Sequence, residues 1–127
     1  MAMFNIEMIG KPSKFGPGTA FITGFDKSDF GIIVQEATKG ASFQYYPDPY
    51  PDQNLFYRSD NATLARLGVP AHTISTDQID IDPYYHTVDD EYETLDLEHM
   101  AATIQGIAMG ASVIISGEAT PSRVATE

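Results

Sequence analysis

Three short groups of polar residues have the side chains that metal or acid-base chemistry requires. They are Glu7, the run Arg58-Ser59-Asp60 and the run Tyr84-Tyr85-His86-Thr87. Each group borders a segment whose pattern predicts regular structure, and ligands of open α/β sheets bind at the carboxyl ends of strands. Zinc takes carboxylate oxygen and neutral imidazole nitrogen at about 2.0 to 2.2 Å. The combination therefore suits a divalent ion such as zinc.

The same residues also have purely structural interpretations. A carboxylate such as Glu7 is costly in a buried strand unless it is paired, solvated at an edge or bound to a metal. Asp60 stands where a helix N-cap belongs. His72, inside a predicted strand, is expected to be hydrogen-bonded and partly buried. The acidic stretch from 77 to 93 lacks the EF-hand pattern, so a solvated loop is the expectation there.

The elements that must position these residues follow from hydrophobic spacing. Alternation predicts strands, and apolar residues three and four apart predict helices. Strands are expected at 4–9, 19–23 and 71–76, with helices at 30–37 after Ser28, after Asp60, and at 97–115 after Asp96. Tyr45 to Gln53 contains three prolines, which predicts a loop and excludes a central strand. This order predicts an α/β fold, a layered mixed sheet flanked by helices, with residues 1–127 as a single domain.

Composition narrows the range of partners. Seven Lys and Arg residues face 18 Asp and Glu residues, for a net charge of −11, so neither nucleic acid nor an anionic membrane surface is expected to bind. Cysteine is absent, which removes thiolate chemistry and disulfides. The longest apolar stretch, 101–117, is shorter than the roughly 20 residues of a membrane span, so no membrane insertion is expected. No signal peptide is recognisable, and the compartment stays open.

Five segments, taken together, resemble the C-terminal half of the M28 family of zinc aminopeptidases. The resemblance runs from about residue 4 to about residue 117, and its most specific part is Tyr-His-Thr followed by an Asp four residues after the His. The matching segments are Asn5-Ile6-Glu7-Met8-Ile9-Gly10, Arg58-Ser59-Asp60, Gly68-Val69-Pro70-Ala71, Tyr85-His86-Thr87 with Asp90, and Leu95-Asp96 before the long helix.

The resemblance implies a role for each matching position. It implies that Glu7, where the family usually has Asp, is a ligand to one zinc of a pair and that His86 is a ligand to the other. Tyr85 would donate a hydrogen bond to the developing oxyanion. Asp60 would border the active site and orient the groups around it, and Arg58 would face the substrate.

The resemblance also implies an aminopeptidase that acts on peptide N-termini by two-metal hydrolysis. The family's upstream His, bridging Asp and Glu-Glu pair have no counterpart here, so we expect a truncated domain that is inactive as an isolated chain. An exposed sheet edge would then favour a homo-oligomer. Full-length relatives are frequently periplasmic or secreted. Two alternatives stay open: a non-catalytic binding module derived from the peptidase fold, and a glutaminyl cyclase, which shares the fold and uses one zinc.

Overall fold

The computed structural model describes residues 1–125 and contains a four-stranded mixed sheet flanked by helices, which confirms the predicted α/β class. The strand order is β1-β4-β2-β3, with β1 parallel to β4, β2 parallel to β3, and β2 antiparallel to β4. The strands are β1 (Met3–Ile6), β2 (Thr19–Ile22), β3 (Gln44–Pro47) and β4 (Ala71–Ser75), and the helices are α1 (Phe30–Ala37), α2 (Asn61–Ala65) and α3 (Leu97–Ile115). No helix in this part of the chain combines the length and apolar character needed to cross a membrane.

Strand β1 ends earlier than predicted because the backbone turns at Met8. Met8 has a φ of 54°, in the left-handed region, which interrupts an extended strand. Its carbonyl oxygen accepts hydrogen bonds from the hydroxyl of Ser75 at 3.1 Å and from the amide of Thr76 at 3.2 Å. These bonds hold the turn against the end of β4, so the prediction of a strand through residue 9 is wrong after Ile6.

The prediction of a loop from Tyr45 to Gln53 is also wrong in part. Residues Gln44–Pro47 form β3, which pairs with β2 through the register Ala20 to Tyr45. Strand β3 lies at the edge of the sheet, where a proline is tolerated because its missing N–H leaves no gap inside the sheet. The three prolines correctly exclude a central strand, but they do not exclude an edge strand such as β3.

The two faces of the sheet carry separate hydrophobic cores. On one face α1 and α3 pack over Ala20, Ile22, Tyr45 and Ile74. On the other face the shorter α2 packs against β4 and β1 and leaves the carboxyl ends of these strands open. The second core consists of Phe56, Ala65, Val69, Ala71 and Val124, with Met3, Tyr57 and Leu64 at its margin.

Helix α3 matches its predicted bounds, but a different side of it is buried. Asp96 caps it by accepting the amide of His99 at 3.0 Å, as its position predicts. The buried side consists largely of small and polar residues, among them Thr103, Gly106 and Gly110. Much of the predicted apolar face is in solvent: Ile104 is 54% exposed and Ile115 is 83% exposed.

Two further expectations concern side chains around α2. Asp60 occupies the N-cap position of α2, as predicted, but its side chain makes no capping hydrogen bond. His72 is fully buried and both ring nitrogens are bonded, Nε2 to the hydroxyl of Ser28 at 2.7 Å and Nδ1 to the carbonyl of Thr23 at 2.8 Å. This confirms a hydrogen-bonded structural histidine.

Candidate functional site

A cavity of about 530 Å³ opens at the carboxyl ends of β1 and β4, on the face of the sheet that α2 covers only in part. Its walls combine apolar side chains with carboxylates, hydroxyls, a guanidinium and an imidazole. This composition is typical of a small-molecule or substrate site. The lining residues are Glu7, Met8, Phe21, Thr23, Leu55, Arg58, Ser59, Thr73, Ser75, Asp77, Ile79, Tyr85 and His86.

Glu7 lies directly after β1, and both of its carboxylate oxygens are held. Its amide donates to the carbonyl of Ile74 at 3.3 Å, which continues the β1–β4 ladder by one residue. The hydroxyl of Ser59 donates to Oε1 at 2.6 Å, and the side-chain amide of Asn5 donates to Oε2 at 3.3 Å. The carboxylate is half-buried and anchored from two sides, as a pre-positioned ligand or acid would be.

A series of hydrogen bonds, most of them buried, connects the Glu7 carboxylate through Asn5 and Thr73 to Asn61. Asn5 also donates to the hydroxyl of Thr73 at 2.9 Å, and this hydroxyl donates to the side-chain oxygen of Asn61 at 2.8 Å. The amide group of Asn61 in turn donates to the backbone carbonyls of Phe56 and Ala71. Because Asn61 and Thr73 are almost completely buried, this network fixes the first strand, the fourth strand and α2 relative to one another.

The segment Tyr85-His86 covers another side of the cavity. The two rings stack with their centroids 4.0 Å apart, and His86 has a φ of 55°. A left-handed backbone at a non-glycine residue is uncommon and is found disproportionately at functional sites. The guanidinium of Arg58 is held by the backbone and side-chain oxygens of Gln53, at 2.9 and 3.3 Å, and lies 3.5 Å from the hydroxyl of Tyr85.

Four of the five residues selected from the sequence therefore lie around one cavity, although they are far apart along the chain. Glu7, Arg58, Tyr85 and His86 all line it. Asp60 is exposed and is absent from the lining. The adjacent Ser59, which was not singled out, is the residue of its run that contacts Glu7.

Asp77 is a lining residue that the sequence reasoning missed because it was grouped with the solvated acidic stretch. It is only 2% exposed, and no N–H or O–H group of the described residues donates to either carboxylate oxygen. Burial, followed by the hydrogen bond and charge of the neighbouring Asp82, raises the pKa of Asp77 to about 7. Its position directly after the buried strand β4 was the available signal, since functional side chains gather at strand ends.

The donor set matches zinc in type but is incomplete in number. Glu7 offers carboxylate oxygen and His86 offers imidazole nitrogen, whereas a catalytic zinc takes three protein ligands. Within residues 1–125, no group of three or more His, Cys, Asp or Glu side chains is arranged to hold a metal ion. These residues alone therefore do not make a zinc site.

Comparisons with known proteins give one family match and one similar solved structure. The model of the family described as Peptidase family M28 matches residues 1–111. No curated protein matches. Among solved structures, the LapA aminopeptidase of Legionella pneumophila is similar, with a TM-score of 0.61 and 20% sequence identity. The similarity covers 90% of this chain and 31% of the LapA chain, so the present chain spans about a third of that protein.

Proposed function

The chain belongs to peptidase family M28, and we propose that it forms the C-terminal part of a zinc-dependent aminopeptidase domain that removes N-terminal residues from peptides. The observation that carries this proposal is the convergence of Glu7, Tyr85 and His86 on one cavity at the carboxyl ends of two parallel strands. The similarity to LapA supports the fold on which the proposal depends.

In this proposal each residue of the cavity has a distinct task. Glu7 and His86 each supply one ligand, to different zinc ions. Tyr85 donates a hydrogen bond toward the oxygen that becomes negative during hydrolysis. Arg58 contacts the Tyr85 hydroxyl and faces the peptide. Asp60 lies outside the lining, so the structure offers less support for its role in orienting the site.

The remaining ligands and the general base would come from a part of the protein outside this sequence. When bound, a zinc pair polarises the scissile carbonyl and activates water. Because Glu7 and His86 complete neither ion's coordination, we propose that the 127-residue chain by itself does not hydrolyse peptides.

Two exposed features support association of this chain with another protein surface. The amide of Met3 donates to the carbonyl of Pro70, directly before β4, and the amide of Glu7 donates to that of Ile74, so the alternate amides of β1 face its free edge. On α3, apolar residues recur four and three apart on an exposed or half-buried side, namely Leu97, Ala101, Ile104, Ala108, Ala111 and Ile115. We propose that a second copy covers this stripe when the 127-residue chain is alone in solution.

The proposed activity is tested in a longer protein of which this sequence forms the C-terminal part. Hydrolysis of leucine p-nitroanilide should be lost in His86→Ala and strongly reduced in Glu7→Gln. Tyr85→Phe should lower kcat by about a hundredfold with a smaller effect on KM, as loss of one oxyanion donor does. His99→Gln, which changes a histidine outside the cavity, is the matched control and should retain activity.

Three results would count against the proposal, and two of them would replace it by an alternative. Full activity in His86→Ala would refute the site. Cyclisation of N-terminal glutamine without release of N-terminal residues would identify a glutaminyl cyclase. Binding of peptides with neither reaction, unaffected by zinc removal, would identify a non-catalytic module.

A further inference from the structure

The loop that carries Tyr85 and His86 is joined to the sheet by a pair of carboxyl groups. Asp77 lies at the end of β4, where its oxygens are buried and accept no N–H or O–H from the described residues. A hydrogen bond and the charge of Asp82, five residues further along the chain, are among the causes that raise the pKa of Asp77. Two carboxyl groups in such contact bind through one shared proton.

Asp82 connects this pair to the backbone of the loop. Its Oδ1 accepts the amide of Tyr84 at 2.9 Å, and the backbone of Tyr85 also lowers the pKa of Asp82. Burial alone would raise the pKa of Asp82, but the hydrogen bond with Asp77 and the two amides outweigh it and hold this pKa below the usual range. Asp77 therefore holds a proton more tightly than Asp82 does, which favours Asp82 as the acceptor of a proton that the two carboxyls share.

Lys11 supplies the nearby positive charge. Its amino group donates to the carbonyl of Thr94, forms an ion pair with Asp90 at 3.4 Å, and lies 4.7 Å from the centre of the Tyr84 ring. Lys11 therefore binds the far end of the same loop while its charge favours the ionised form of Asp82. No side chain other than Asp82 among the described residues accepts the amide of Tyr84.

We propose that Asp77 and Asp82 share one proton and thereby fix the Tyr85–His86 segment over the cavity, with Asp82 as a positioning residue. The proposal rests on the function proposed above only for the importance of Tyr85 and His86. The connection itself is a property of the 127-residue chain. It accounts for a carboxyl group at the buried end of β4, where an apolar residue would be less costly.

Amide hydrogen exchange measured by NMR on the 127-residue chain tests the proposal at single residues. Asp82→Ala removes the acceptor and should speed exchange at Tyr84 by about tenfold or more, as expected for loss of a hydrogen bond to a charged group. The ring-current shifts that stacking of Tyr85 on His86 produces should diminish in the same variant. The amide of Ile74, in the centre of β4, should be unchanged.

Conservative variants separate positioning from general loss of structure. Asp82→Asn keeps an oxygen for the amide of Tyr84 and should restore most of the protection. Asp77→Asn keeps a donor toward Asp82 and should also preserve it, whereas Asp77→Ala should not. Asp89→Ala removes another acidic side chain of the same loop, one without a hydrogen bond to Tyr84, and should exchange like the wild type.

The proposal is overturned if Tyr84 exchanges in Asp82→Ala within twofold of the wild-type rate. It is also overturned if Asp82→Asn is as fast as Asp82→Ala. Wild-type exchange at Tyr84 in Asp77→Ala would overturn the shared proton. Should Asp77→Ala fail to fold, Asp77→Asn decides, because faster exchange at Tyr84 in that variant would contradict the proposed hydrogen bond between the two side chains. None of these measurements involves zinc or hydrolysis, so failure of the proposed function would leave them unchanged.

Discussion

Replacing Asp77 with Asn should stabilise the protein, and the gain should grow with pH. A carboxyl whose pKa rises from 3.8 to about 7 on folding binds its proton more tightly in the folded chain than in the unfolded chain. Below about pH 4 both states are protonated and the carboxyl costs nothing. Between that pH and 7 the unfolded state loses its proton first, so the free energy of unfolding falls, and above pH 7 the full penalty is present.

The size of the effect follows from the same two values. The difference between 3.8 and about 7 corresponds to an upper limit of about 4 kcal/mol. An Asn side chain is itself a polar group in the same buried position, and its burial offsets part of the gain. We therefore expect Asp77→Asn to raise the free energy of unfolding by about 2 kcal/mol at pH 8. The difference in stability between variant and wild type should be about 3 kcal/mol less favourable to the variant at pH 4.5.

Urea unfolding followed by circular dichroism at both pH values measures this difference. Titrating groups that do not interact with Asp77 act equally on wild type and variant and cancel in the comparison. The neighbours whose charges act on Asp77 are Asp82, Asp90 and Lys11, and all three are unchanged in the variant. Asp89→Asn, at an exposed position, is the matched control and should show no pH-dependent gain. A stability difference for Asp77→Asn that is the same at both pH values, or a loss at pH 8, would refute the reasoning.

Three further predictions concern packing and association. Asn61→Ala should lower the free energy of unfolding by about 3 kcal/mol, because it leaves the hydroxyl hydrogen of Thr73 without an acceptor and two buried carbonyls without donors; urea unfolding checks it, and a loss below 1 kcal/mol would contradict it. Gly106→Ala should destabilise by about 1 to 3 kcal/mol despite the better helix propensity of Ala, because the added Cβ would lie 2.3 Å from the ring of Phe43; an unchanged thermal midpoint would contradict the packing described. Ile104→Glu should convert a dimer of the chain into monomers, because it places charge in the exposed apolar stripe of α3; light scattering checks it, with the exposed Glu98→Gln as control, and a monomeric wild type would refute the proposed association.

Local chemistry made much of the fold predictable. The long helix could be placed at Leu97–Ile115 because Asp96 and the apolar spacing mark it without reference to other elements. Its buried side could not, since Gly106 and Gly110 are buried by their closeness to Phe43 and Val34, a contact between distant parts of the chain. Edge strand β3 was missed for a related reason: whether a Pro-containing segment pairs depends on its place in the sheet.

The candidate site was predictable where a motif marked it. Glu7, Tyr85 and His86 were selected through their neighbours in sequence and they line one cavity. Asp77 belongs to no recognisable sequence motif. Its burial and its interaction with Asp82 depend on the folded structure and could not be predicted from the sequence. Asp60 was selected and Ser59 passed over, although Ser59 is the residue that reaches Glu7.

The central claim is that Glu7 and His86 belong to a metal site that this chain does not complete. Elemental analysis of zinc per chain after dialysis, on the 127-residue protein and its His86→Ala variant in parallel, tests it most directly. Because a catalytic zinc takes three protein ligands, the account predicts far less than one zinc per chain in both proteins. One zinc per chain in the wild type, lost in His86→Ala, would contradict it and would place a complete site within these 127 residues or between two copies of them.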